Sequence, residues 1–375
     1  MGKTARIPAI DILRGLVIAL MALDHVRDFF GVTLFAPEDL SATTPAWFWT
    51  RWITHLCATT FVLLAGSSAY LRGASTGLPA LSRYLFTRGL MLIVLEATWI
   101  TFSWQLGYNF VILQVLWAIG MGMVALAGLV WLPRPVIALV AALLIVPHNL
   151  LDSFRSASPL WMAWHQGGFV PLGDVVQGVA FKYPLMPWIG LMAAGYAIGP
   201  VFQRDAASRQ RFLWIAAAAL MVAFVALRAS NLYGDPHLFT PTGRGAMFDL
   251  MAFVNVEKYP PSLLYLMVTG SIGLALLAMF DRMKPVRFLQ LIGRVPMFFY
   301  VIHIALFHML GNLYFNLRFG STPNFDGNSF VLPPGYEPSL AVVYAAWILL
   351  MVVMYGLCSY WSRREDRRMV ARAVA

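Results

Sequence analysis

About ten stretches of roughly 20 apolar residues recur along this chain, the length an α-helix needs to cross the hydrocarbon core of a bilayer. They run over roughly 8–30, 47–71, 84–104, 109–131, 135–151, 184–203, 211–229, 260–280, 288–315 and 339–361. In lipid only helices and closed barrels satisfy every backbone N–H and C=O. The stretches therefore predict an all-α, polytopic integral membrane helix bundle. Hydrophobic residues make up 60% and charged residues 12% of the 375 residues, against about 45–50% and 25% in soluble domains. A soluble chain this apolar could not cover its own surface. The two cysteines, Cys57 and Cys358, both lie in apolar runs and provide no disulfide framework.

Basic residues orient such a bundle, because they stay in the cytoplasm. With the N-terminus inside, 17 of the 27 Lys and Arg fall in cytoplasmic segments, from Lys3 and Arg6 through Arg134 to the tail residues Arg363, Arg364, Arg367, Arg368 and Arg372. Eight, among them Arg27, Arg155 and Arg228, fall outside, and Arg14 and Arg294 sit within helices. Ten helices with both termini cytoplasmic satisfy this bias. Residues 1–7 then form a cytoplasmic N-terminus, 8–361 the bundle and 362–375 a basic tail, in one domain spanning 1–375. The tail reads as an orientation signal touching lipid headgroups, and no dense basic tract suggests nucleic acid. Three outer segments, 152–183, 230–259 and 316–338, are long and rich in Gly, Pro and aromatics. They are candidates for an outward-facing vestibule or a rigid cap.

Ionisable groups inside a bilayer are costly and mark sites by default. The first helix holds Asp11, Arg14, Asp24, His25, Arg27 and Asp28. Eleven steps of 100° separate Arg14 from His25, leaving an offset of only about 20°, so both share a face roughly 16 Å apart. His25 is the principal candidate: an imidazole titrates near neutrality, and a carboxylate from Asp24 or Asp28 could orient it. His55 lies at a matching depth on the second helix, where His25 could meet it; Arg51 precedes it by a turn. Glu257 and Lys258 stand before the eighth helix, where a helix N-terminus favours anions. Arg294 in the ninth is expected to need a buried partner, Glu96 or Asp11. His303 and His308 cannot both face one stripe, so at least one is structural. His148, His165 and His237 fall at helix ends or in loops, where solvation is the simpler expectation. No metal-ligand spacing is present, and no metal is expected.

The run Ala9-Ile10-Asp11-Ile12-Leu13-Arg14-Gly15, followed by Asp24-His25, resembles the opening of the transmembrane acyltransferase superfamily. The Arg-x10-His spacing of Arg14 and His25 is similar to the acyltransferase 3 branch. Thr54-His55-Leu56-Cys57, Tyr183-Pro184-Leu185-Met186-Pro187-Trp188, Lys258-Tyr259-Pro260-Pro261-Ser262 and Gly293-Arg294-Val295-Pro296 with Tyr300 and His303 resemble bacterial members near the heparan-alpha-glucosaminide N-acetyltransferases. The lysosomal enzyme departs from this chain: it has an asparagine where His25 stands and an aspartate where His55 stands. Its catalytic histidine lies in the loop before the second helix, where this chain has none.

The resemblance implies a bacterial inner-membrane enzyme that passes an acetyl or acyl group from cytoplasmic acetyl-CoA or another acyl-CoA to a glycan or other envelope acceptor. His25 would serve as base with Asp24, Asp28 and His55 around it. Arg14, Arg72, Arg83 and Arg88 would face the donor, and Arg51, Glu257, Lys258, Arg294 and His303 are candidates for acceptor or oxyanion contacts. The expected partners are membrane lipid, the acceptor and a second copy of the chain, with no nucleic acid. A permease without covalent chemistry, or a scaffold, would also suit ten helices with buried histidines.

Overall fold

The computed structural model describes residues 7–326 and 329–374, with side chains at 325–330, 366 and 368–374 left aside. Lys3 and Arg6, and the side chains of Arg368 and Arg372, on which part of the orientation rests, lie outside the described residues. Helix α1 is Pro8–Phe30, α2 Pro45–Thr76, α3 Leu78–Gln105, α4 Val115–Leu129, α5 Arg134–Ile145, α6 Leu185–Gln203 and α7 Ala206–Ser230. A short helix, α8, covers Ala246–Val254, followed by α9 Leu263–Phe280, α10 Arg287–Arg294, α11 Pro296–Phe319 and α12 Leu340–Val374. Seven of these (α2, α3, α6, α7, α9, α11 and α12) are long and apolar enough to cross a membrane. Helices α4 and α5 are shorter and equally apolar, and α1 carries the charges described above.

The chain divides into two compact units, Met1–Ile10 with Ala58–Lys284, and Asp11–Cys57 with Pro285–Ala375. In the first unit, α3 packs on α4, α7 on α9, and α6 on both α4 and α5. Glycines set how closely helices cross in this unit: where α6 meets α2, a Cβ on Gly195 would lie 2.2 Å from the Leu63 carbonyl oxygen. Ser67 Oγ uses that proximity to donate to the Gly195 carbonyl at 3.0 Å. Helix α4 starts where Glu96, fully buried in a π-turn of α3, accepts from the Leu116 and Trp117 amides at 2.7 and 3.3 Å. A carboxylate is well placed there, because a helix N-terminus has unsatisfied N–H groups and a positive dipole end.

The long connecting segments of this unit have structure of their own. Strand β1 (Val111–Leu113) pairs in parallel with β3 (Gly178–Phe181), which pairs antiparallel with β2 (Gly168–Pro171), a small sheet that an all-α expectation does not include. Arg228 pins the segment around α8 by donating to the carbonyls of His237, Ala252, Phe253 and Asn255 at 2.6–3.0 Å.

In the second unit α1 is surrounded by its partners. The expected ninth span over 288–315 is two helices. Val295 leaves helical geometry (φ −122°, ψ 49°), because the Pro296 ring disfavours the α region for the residue before it. Gly15 faces Leu289 and Gly293 faces Asp11, so α10 runs antiparallel to α1. After the break the chain reverses. His303 then meets His25 and Gly311 meets the Phe29 backbone, so α11 advances alongside α1 in the same direction. The expected spans at 109–131 and 135–151 are helical only over α4 and α5, with a strand before one and a 3-10 turn after the other.

Candidate active site

Two polar clusters stand out, one in each unit. That of the second unit centres on His25. Its Nδ1 lies 2.7 Å from His303 Nε2, and the two rings are nearly parallel, 16° apart. His303 is fully buried among Phe299, Tyr300 and Phe307, and its Nδ1 lies 3.0 and 2.8 Å from the carbonyls of Phe299 and Tyr300. The expected meeting of His25 with His55 is replaced by this His25–His303 pair. His55 sits in a 3-10 turn, Ile53–His55, inside α2; that turn holds three residues rather than 3.6 and changes which face a residue takes. His55 Nε2 instead lies 3.6 Å from Glu38 Oε1.

Around His25 runs a ladder of ion pairs. Arg27 Nη2 donates to Asp24 at 3.1 Å and Asp28 at 2.6 Å. Arg51 binds Asp24 through Nη1 and Glu38 through Nε, the latter at 2.6 Å. Burial alone would raise the Glu38 carboxyl, but His55 and the Arg51 guanidinium outweigh it and hold it below the usual carboxylate range. Arg51 is thereby committed to carboxylates, which bears on its candidacy as an oxyanion contact. Three carboxylates against two guanidiniums leave these pairs with an excess of negative charge. His308, the alternative to His303, stacks on Phe29 at 4.6 Å between centroids.

Arg14 is on the same helix toward its N-terminal end, with Nη1 3.4 Å from Asp11 and 3.5 Å from the Gly293 carbonyl. Arg294 is not buried as expected. It is exposed at the end of α10, because the reversal at Val295–Pro296 carries it to a turn. Asp11 pairs with Arg14, and Glu96 is engaged by amides in the other unit.

The first unit holds Arg72, Arg83 and Arg88, all exposed on α2 and α3. Arg72 lies over the Tyr84 ring at 3.8 Å. Its connecting segments frame a cavity of about 150 Å³ lined by Asp152, Arg155, His165, His237, Glu257 and Tyr259, among others. Asp152 accepts from His165 at 3.1 Å and Asn149 at 2.8 Å; burial opposes but these bonds prevail, and its carboxyl lies below its ordinary value. Glu257 pairs with His237 at 3.2 Å and accepts the Lys258 and Tyr259 amides. Lys258 is buried, with Nζ 5.0 Å from the Tyr259 ring centre. Helix α9 begins after the two prolines, capped by Ser262, which accepts from Tyr265 N. Sequence reasoning passed over His148 and His165 as solvated; they are 0% and 1% exposed. Among the described residues no group of three His, Cys, Asp or Glu side chains could hold a metal ion.

Residues 6–233 match the family model of the heparan-alpha-glucosaminide N-acetyltransferase catalytic region. The chain belongs to that family. The match covers α1 with Arg14 and His25 and runs to the end of α7, whereas His303 lies beyond it. Membership in the heparan-alpha-glucosaminide N-acetyltransferase family makes the chain an integral membrane protein of the acetyltransferase class. No curated protein matches the chain.

Proposed function

We propose that the protein transfers an acetyl group from cytoplasmic acetyl-CoA to a hydroxyl or amine of a glycan or related acceptor on the outer side of a bacterial inner membrane, with His25 as general base. The observation that carries this reading is the imidazole pair of His25 and His303 beside an ion-pair ladder, on the helix that opens the family match. Acyl transfer needs a base for the acceptor proton and positive charge for the donor's phosphates. His25 supplies the first, with the Asp24 and Asp28 carboxylates stabilising the imidazolium that forms. Arg14, Arg72, Arg83 and Arg88 are the candidates for the second. Membrane lipid and the acceptor are the proposed partners.

Purified protein incubated with acetyl-CoA and an envelope glycan preparation should release free thiol. His25→Ala should slow that release by about 10²–10⁴-fold, the usual share of a general base, while leaving the detergent melting profile intact. Full activity in a well-folded His25→Ala protein would sink the proposal, and no acetyl-CoA binding by the native chain would favour a permease.

A further inference from the structure

His303 has two ring nitrogens, and the structure gives each a different kind of neighbour. Nδ1 faces two backbone carbonyls, of Phe299 and Tyr300. A carbonyl can only accept, so Nδ1 carries a hydrogen. The ring is fully buried, and among the described residues it meets aromatic rings, those carbonyls and His25. Charging an imidazole there without a counter-ion is costly, so the resting ring is neutral and its Nε2 holds a lone pair. That lone pair is 2.7 Å from His25 Nδ1. His25 must donate across this contact, so its own hydrogen sits on Nδ1, and in the neutral ring Nε2 is left unprotonated.

We propose that His303 is the positioning residue that fixes the tautomer of His25, and that Nε2 of His25 is the reacting nitrogen. The inferred role rests on the acetyltransferase reading above; the tautomer does not. A carboxylate often holds a catalytic imidazole in this way and attracts the proton by charge as well as by geometry. Here a second, neutral imidazole sets direction alone, and its backbone carbonyls on α11 set its direction in turn. In the transfer step, His25 Nε2 accepts the proton of the acceptor O–H or N–H as that heteroatom bonds to the thioester carbonyl carbon. The C–S bond breaks with its electron pair on sulfur, and the proton passes from Nε2 to the leaving thiolate. His303 keeps its Nδ1 hydrogen throughout.

Solid-state NMR on ¹⁵N-histidine-labelled protein in lipid separates the two tautomers of each ring, and a His25→Gln sample identifies the His25 signals by difference. His25 should carry its hydrogen on Nδ1 in the resting protein. A hydrogen on Nε2 of His25 overturns the proposal whether or not the protein transfers acyl groups. The kinetic arm uses two variants in the thiol-release assay. A glutamine amide oxygen can accept from His25 Nδ1, so His303→Gln should keep kcat within about 10-fold. A leucine cannot, and His303→Leu should lower kcat by about 10²-fold or more, with KM for acetyl-CoA little changed. Equal losses in the two folded variants, or a His303→Leu protein as active as the native one, would count against His303.

Discussion

His25 and the two histidines of the first unit's cavity differ in what they face. In that cavity His165 and His237 each pair with a carboxylate, Asp152 and Glu257. In the second unit His25 pairs with another imidazole. A carboxylate partner brings negative charge as well as direction to the ring it holds, whereas a neutral imidazole partner brings direction alone. His165 is as buried as His303, so burial alone does not distinguish a ring tied to a carboxylate from one paired with an imidazole.

The sharpest way to break the comparison is to remove a charge from the His25 cluster. Arg51→Ala leaves Asp24 and Glu38 partly buried without one of their cations. It should cost about 3 kcal/mol of stability and reduce thiol release, read by urea or thermal unfolding in detergent beside the activity assay. Next is Gly293→Ala, whose added Cβ would fall 1.9 Å from the Asp11 carbonyl oxygen. Forcing α10 away from α1 should cost about 1–3 kcal/mol. Asp152→Asn tests the other unit: it weakens the tie to His165, should cost about 1 kcal/mol and should leave thiol release within about 2-fold, as expected of a residue that shares no partner with the His25 cluster.

The smallest effect is a titration. Glu38 and Asp152 have folded-state values below their ordinary 4.5 and 3.8. Each therefore contributes stability that is full above its ordinary value and is lost as pH falls below it. Glu38→Gln should flatten that acid limb in melting curves taken between about pH 5 and 3; an unchanged limb would remove Glu38 as its source.

Hydropathy located every long apolar stretch, because length and composition suffice to say that a segment belongs in lipid. It could not see that α10 and α11 point opposite ways, since Val295 and Pro296 reverse the chain without altering its apolar character. Face arithmetic on α1 singled out His25 because a continuous helix has a fixed step. Matching depth was not enough for His55, because depth says nothing of which face a residue takes and a 3-10 turn there changes the step. The His303 partnership depends on a contact across 278 residues of chain, and no local spacing encodes it. His165 was missed for a related reason: a loop position suggests solvent, and only the folded connecting segments bury it.

The seam between α1 and α10 has a consequence of its own. At Gly15 and Gly293 two main chains touch with no side chain between them. Such a seam has no rotamers to freeze, so closing it sacrifices little freedom beyond what the helices have already given up. It also cannot be eased by a flexible neighbour moving aside. The two helices are either seated or apart, and mutational drift at those two positions has nowhere to go, because the next smallest residue is already too large.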